Sequence, residues 1–490
     1  MKRARRSVIA ACTASLLCLF TVWSGVASTA LAANAAVRTP AGGVKGDPQP
    51  ELSPFELGNV DSSNGSVALE PGGGVVAAWD VPSGTSGKIL VCVLNRGARA
   101  CSHKADLSVP TGLSVGVGDG PHLLIPSANH VVVLADSCCD NNPDGDTLFY
   151  SSANGGISFG APVRIGNVGT SSAVLTGNQI VFIGGDFPLG MQVESIPLTA
   201  SGPPASVATV TPDQSLEVGI SSYHGGVLAG YDILTSTDTT YVDYAPSGRD
   251  FNASSSYHKV VSFKNEELLG MSGSALLTVQ DTGKADMILR LFNGTSFGPA
   301  HVVPGSAGCD IGCAATIDQD PDGVTHFFSE TDHSNPLYYL FEYSTSNGSH
   351  WSGPVDLGNA ISSYFFSAAL DAHGSGVVLG TGGDQSWAHP VLEAQSVSFN
   401  LKSSTIKKGK STTGYGRGSP ARVGRLVTLQ VERSGRWYNV ATTHEKSGGS
   451  FSFTIKGTSA GKFSYRAVAA DLAGYLEFGY SASRTLRVSS

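Results

Sequence analysis

The sequence predicts an all-β protein, a β-propeller most simply read with seven blades, followed by an Ig-like β-sandwich. Three observations carry that prediction. The composition is glycine-rich and sparsely charged, with 61 glycines and 14% charged residues among 490, and no stretch shows the long 3.6-residue apolar period of a helix. A glycine followed three residues later by an aromatic ring recurs at Gly156/Phe159, Gly248/Phe251, Gly294/Phe297 and Gly348/Trp351, at multiples of about 50 residues, the length of one propeller blade. An apolar run ending in an acid recurs with the same period at Asp80, Asp136, Asp186, Asp232, Asp281 and Glu330.

The elements follow in chain order. Residues 1–35 have a basic head, an apolar stretch and small residues at "ALA" and "ANA", the pattern of a secretory signal peptide. A linker over 36–51 leads into the repeats. No later stretch is apolar for long enough to span a bilayer, so the expectation is a secreted, extracellular, monomeric protein without a transmembrane anchor.

The repeats occupy 52–397. The last unit, "SYFFSAALDAHGSGVVLGTGGDQSWAHPVLEAQ", holds three strands, whereas "SPFELGN" near the start is a strand with no unit before it. The early strand is therefore expected to complete the last blade and close the ring, which removes exposed sheet edges. Degenerate first and third units leave six blades as the alternative.

Beyond residue 397 the composition changes, and 398–490 alternates apolar and polar residues in short strands separated by "RSGRW", "KSGGS" and "TSAGK", the pattern of one β-sandwich. From residue 396 onward there are 15 Lys and Arg against 4 Asp and Glu, although the whole chain carries a net charge of −8. The basic excess comes without a recognition motif or a stripe of stacking aromatics, so no nucleic-acid partner is indicated. Its candidate partners are anionic wall polymers or the acidic repeat region.

Six cysteines remain after the leader, Cys92, Cys101, Cys138, Cys139, Cys309 and Cys313, and an even set in an oxidising compartment points to disulfides. Cys92 and Cys101 flank one turn and would staple neighbouring strands. Metal binding is the weaker reading, since no histidine lies at ligand spacing.

The turns around Ser152-Ala-Asn154-Gly-Gly156-Ile-Ser-Phe159 and Ser344-Thr-Ser-Asn-Gly348-Ser-His-Trp351 resemble the Asp-box, S/T-x-D-x-G-x-x-W/F, of bacterial sialidases and related propeller (BNR-repeat) proteins; the C-terminal segment is similar to bacterial Ig-like modules. The resemblance implies that the boxes join third and fourth strands, opposite the active face, and are structural. It also implies a carboxylate-binding arginine triad. The repeat region offers Arg96, Arg99, Arg164, Arg249 and Arg290, in or beside box turns or in outer strands, and none follows an early strand as that triad requires.

The acid series is the remaining site. Each acid ends a second strand on the face opposite the boxes, so the six should ring a surface able to hold sugar hydroxyls or Ca²⁺; the bland alternative is that each opens a loop. Asp318, Asp320 and Asp322 match the start of a calcium loop, but Ser329 stands where a bidentate Glu belongs, and a hairpin turn explains the spacing better. No cofactor is indicated beyond possible Ca²⁺. The reading that results is a secreted, non-catalytic protein binding extracellular glycans or wall polymers. The alternative is an exo-sialidase-like glycoside hydrolase or a polysaccharide lyase.

Overall fold

Seven four-stranded antiparallel sheets follow one another along the chain, in a computed structural model that describes residues 55–490 apart from short segments such as 138–145, 247–257, 281–285, 307–314 and 471–478. The leader, the linker, Cys138, Cys139, Cys309, Cys313, Gly248, Phe251 and Asp281 lie outside the described residues.

The innermost strands of blades 1 to 7 are Gly65–Leu69, His122–Ser127, Ser172–Thr176, Ser215–Tyr223, Glu266–Ser272, Ala315–Gln319 and Phe365–Leu370. Each lies against the inner strand of the next blade, and that of blade 7 against that of blade 1, so the ring is closed. This is a seven-bladed β-propeller. Blade 7 takes three strands from residues 365–391 and its fourth from Phe55–Asn59, which pairs antiparallel with Gln385–Val391 through Phe55 and Ala388. Closure by the early strand is thus as expected, and it pairs the edge that Gln385–Val391 would otherwise leave open.

The blades face one another through apolar layers. Val76, Val91 and Val93 of blade 1 pack with Val131, Val133 and Tyr150 of blade 2, and Leu134 and Phe149 of blade 2 pack with Ile180, Phe182 and Ile196 of blade 3. Middle strands are buried on both faces, as Val75–Val81 shows along its whole length, which is why they read as continuous apolar runs rather than alternating ones.

Turn chemistry sets the period. Between the third and fourth strands of blade 2, Ser152 Oγ accepts the amide N–H of Gly156 (2.9 Å) and Asn154 Oδ1 accepts that of Ser158 (3.0 Å), while Phe159 packs against the core. Gly156 has φ +82°, a left-handed conformation that glycine adopts without a Cβ penalty. In blade 6 the same roles fall to Thr345, whose Oγ1 accepts the Gly348 N–H (2.9 Å), and to Asn347, whose Oδ1 accepts the N–H of Ser349 and His350. Ser344 is instead a strand residue opposite His326. The polar pair stands one residue later than the sequence spacing suggests because the strand continues through Thr345. Trp351 packs against the blade 5–6 core.

Cys92 and Cys101 form a disulfide across the corresponding turn of blade 1.

Residues 396–490 build two sheets around one apolar core. Ser396–Leu401, Ser411–Ser419 and Ser450–Lys456 form the three-stranded sheet. The second sheet runs in the order Thr405–Lys407, Arg484–Ser489, Gly461–Ala469, Leu426–Arg433, Arg436–His444, with Gly479–Tyr480 added beside Gly461–Ala469. Phe399, Phe451 and Phe453 of one sheet meet Val427, Leu429, Ala467 and Leu486 of the other. The first strand begins at Ser396, two residues before the boundary read from composition. Arg425 and Glu445 form a fully buried two-point ion pair here (2.8 and 2.9 Å).

Candidate functional site

The seven inner strands enclose a central cavity of about 320 Å³. Among the described residues its wall mixes apolar side chains such as Ile220, Met271 and Phe366 with hydroxyls, Ser66 from blade 1, Ser172 from blade 3, Ser221 and Ser222 from blade 4, Ser272 from blade 5, Thr316 from blade 6 and Ser367 from blade 7, and adds His122 from blade 2 and one carboxylate, Asp318.

Small residues are what the geometry demands here. Seven strands converge on the axis, and a larger side chain at each would fill it. The hydroxyls also do structural work. Ser66 Oγ accepts the Leu123 N–H (2.9 Å), Ser172 Oγ that of Ile220 (3.3 Å), Ser272 Oγ that of Gln319 (2.9 Å) and Ser367 Oγ that of Val67 (3.3 Å). Each bond crosses from one blade to the next. Inner strands do not pair with one another, so their inward amides need side-chain acceptors. Blades 4 and 6 use carboxylates instead: Asp232 Oδ2 accepts the Leu268 N–H (2.7 Å) and Asp318 Oδ2 that of Leu370 (2.8 Å).

Asp318 is the titratable centre of this wall. Burial raises its carboxyl to about 6, outweighing the opposing effects of the Ser272 hydroxyl bond (3.0 Å), the Leu370 amide bond and nearby His326. At mildly acidic pH the channel therefore presents a neutral acid able to donate, and above that range a carboxylate that only accepts.

The described members of the acid series lie at different depths. Asp80 is 1% exposed and Asp232 5% exposed, so each is shut inside the propeller. Asp136 is half-buried, with its carboxyl packed against the Gly169 backbone ahead of blade 3. Asp186 and Glu330 end their second strands as read, paired with Gly190 and Leu340.

The three aspartates of the calcium-like stretch separate too. Asp318 belongs to the inner strand. Asp320 opens a hairpin in which its Oδ1 accepts the Val324 N–H (2.9 Å) and its carbonyl that of Gly323, and Asp322 is exposed at the tip. Glu70 and Asp371 open equivalent hairpins in blades 1 and 7: as at Asp320, the N–H of each donates to the carbonyl four residues on and its carbonyl accepts the N–H three residues on. Among the described residues, no group of three or more His, Cys, Asp and Glu side chains gathers as a metal set.

Beside this turn, His326 lies between Glu342 (Nδ1 to Oε1, 2.7 Å) and Asp320 (3.5 Å). Burial opposes its protonation, but the two acids prevail and hold its pKa above the ordinary value.

The arginines are occupied elsewhere. Arg290 makes a buried two-point pair with Glu266 (2.6 and 2.8 Å) and lies over the Phe263 ring at 4.1 Å. Arg96 pairs with Asp371 of blade 7 at 2.5 Å, and Arg249 lies outside the described residues. Among the described residues, no arginine lines the cavity.

The inner-strand hydroxyls are what sequence reading missed. The signal was present: serine recurs in the first strand of the units, in "GSVAL", "SAVLT", "GISSY", "LGMS" and "FFSAAL".

The chain matches no family model and no curated protein. Among solved structures it is similar to an Aleuria aurantia lectin in complex with Fucα1-6GlcNAc, with a TM-score of 0.35 and 10% identity, over 84% of this chain and all of that one. It is also similar to a bifunctional GH43-CE protein of Bacteroides eggerthii, with a TM-score of 0.29 and 9% identity, over 89% of this chain and 59% of that one. A third likeness is to the WD40 domain of SCAP from fission yeast, with a TM-score of 0.33 and 8% identity, over 69% and 96% of the two chains. Likenesses this distant assign no activity.

Proposed function

We propose that this is a secreted propeller of the sialidase-like, Asp-box kind, carrying a C-terminal Ig-like module over about 398–490, that binds carbohydrate without turning it over. The observation that carries the reading is the polar part of the central cavity: among the described residues, hydroxyls from six blades, one histidine and a single carboxylate, set among apolar side chains. Its volume is at the small end of ligand pockets, which run from about 300 to 1,000 Å³, and suits one sugar residue more than a folded partner. Ser66, Ser172 and Ser367 accept a backbone N–H and still have a proton to donate, whereas Ser272 gives its proton to Asp318, so the wall can exchange hydrogen bonds with sugar hydroxyls.

Hydrolysis by the usual glycosidase scheme needs two carboxyl groups roughly 5 to 10 Å apart across the bond. Among the described residues, Asp318 has no carboxylate partner in the wall and no arginine stands there for the sialidase scheme. Binding without chemistry is the simpler consequence.

The test is to incubate the secreted protein with a panel of neutral oligosaccharides, sialosides and acidic polysaccharides, with and without Ca²⁺, measuring bound ligand by calorimetry and product by chromatography. Saturable binding without product, lost in a Ser172→Leu variant that fills the cavity, is the expected result. Turnover of any panel member would sink the non-catalytic reading. Calcium-dependent binding would return the Asp318 group to the status of a cation site.

A further inference from the structure

We infer that the outer face of the five-stranded arrangement in the C-terminal sandwich is a docking surface for a linear anionic polysaccharide carrying one carboxylate per sugar. This stands independently of the channel: each reading can fail without the other.

The core side of this sheet is fixed by Val427, Leu429, Ala467, Leu486 and Val488. Strand alternation then sends Arg487, Lys462 and Lys407 to the opposite, outward face. Arg487 lies directly across from Lys462 on one side and from Thr405 on the other, with Lys407 two residues along the same face. All three cations are exposed.

Like charges directly opposite each other across strands are destabilising, and nothing described relieves them. Glu445 is buried with Arg425. Glu432 stands on the outward face opposite Trp437 but makes no ion pair with Lys462. An unrelieved like-charge pair on a flat sheet face is what a polyanion would neutralise.

The spacing selects the kind of polyanion. Neighbouring strands are about 4.8 Å apart, close to the advance per residue of an extended (1→4)-linked polysaccharide. A chain lying across the strands would therefore meet Lys462 and Arg487 with successive sugars, with Lys407 two residues to the side on the next strand. Four residues along the same strand from Lys462, Arg466 is stacked between Trp437 (4.4 Å to the ring centroid) and Tyr480 (4.8 Å), and its Nε donates to Gln430 Oε1 (2.8 Å). This ladder fixes an aromatic and amide patch on the same face, about 13 Å along the strand from the Lys462–Arg487 pair.

The test uses the full chain and polygalacturonate as probe, with affinity read by biolayer interferometry at low and raised salt. Lys462→Gln/Arg487→Gln should weaken binding about tenfold or more, the loss of two charge-assisted contacts, without lowering Tm. The control Lys402→Gln/Lys446→Gln removes the same charge beside the three-stranded sheet and should change affinity less than about twofold. Equal weakening by both pairs, tighter binding to duplex DNA or to phosphatidylserine vesicles than to polygalacturonate, or no binding by the unaltered chain would each overturn the proposal.

Discussion

Replacing Asp318 with asparagine should stabilise the propeller above neutral pH while leaving it unchanged or slightly weaker in acid. Burial holds the folded carboxyl at about 6, against an ordinary 3.8. A folded pKa above the unfolded one means that the folded state binds the proton more tightly. The group therefore favours folding most below about pH 4, and that contribution disappears as pH rises through about 6. The interval from 3.8 to about 6 corresponds to about 3 kcal/mol as an upper bound. The side chain keeps some exposure in the channel, so about 1–2 kcal/mol is the working figure. Asparagine retains an oxygen for the Leu370 N–H and carries no charge to desolvate. Differential scanning calorimetry of both proteins from pH 4 to 8 should show Tm curves that cross, with the variant a few degrees higher at pH 7.5. Parallel curves, or a variant less stable at pH 7.5, would refute the argument that desolvation dominates at this residue.

Glu266→Gln should lower stability by about 3–5 kcal/mol, since it strands the Arg290 charge inside blade 5; adding Arg290→Met should recover part of that loss in a double-mutant cycle read by urea unfolding. His326→Asn should cost more at pH 6 than at pH 9, because a histidine whose folded pKa is raised contributes below its unfolded value of about 6.5 and loses that contribution as pH climbs through the folded pKa; thermal melts at the two pH values decide it. Gly156→Ala should cost about 1–2 kcal/mol from its positive φ alone, with its new methyl also 3.0 Å from Val93 Cγ2; a melt within experimental error of the unaltered protein would remove the turn from the set of features fixing the blade.

The repeat was legible because it rests on local chemistry. A glycine with positive φ, an Asn or Ser accepting amides two to four residues on, and an aromatic ring beneath the turn all lie within eight residues, and they recur in each copy that retains them. The closing strand was legible for a related reason, a strand lacking a unit at one end and a unit lacking a strand at the other.

The channel was hidden because its logic is long-range. Ser66 holds Leu123, and Asp318 holds Leu370, across more than 50 positions, and short polar residues in a strand look like turn residues when read locally. Asp318 was grouped with Asp320 and Asp322 by spacing, yet the inner strand runs through Gln319, so the first acid belongs to the channel and the second to the hairpin. The acids ending second strands were correctly spaced, but their depth was invisible: burial between blades depends on what the neighbouring blade brings, as Asp232 with Leu268 shows.

The pairing of Phe55–Asn59 with Gln385–Val391 also carries a consequence for biogenesis. A chain made from its N-terminus must carry its first strand unpaired until the last blade has emerged, so the ring can latch only as a final, non-local event. Folding should accordingly be slow and strongly cooperative, and a chain cut short before residue 385 should be left with every blade made but one and no lock to hold them.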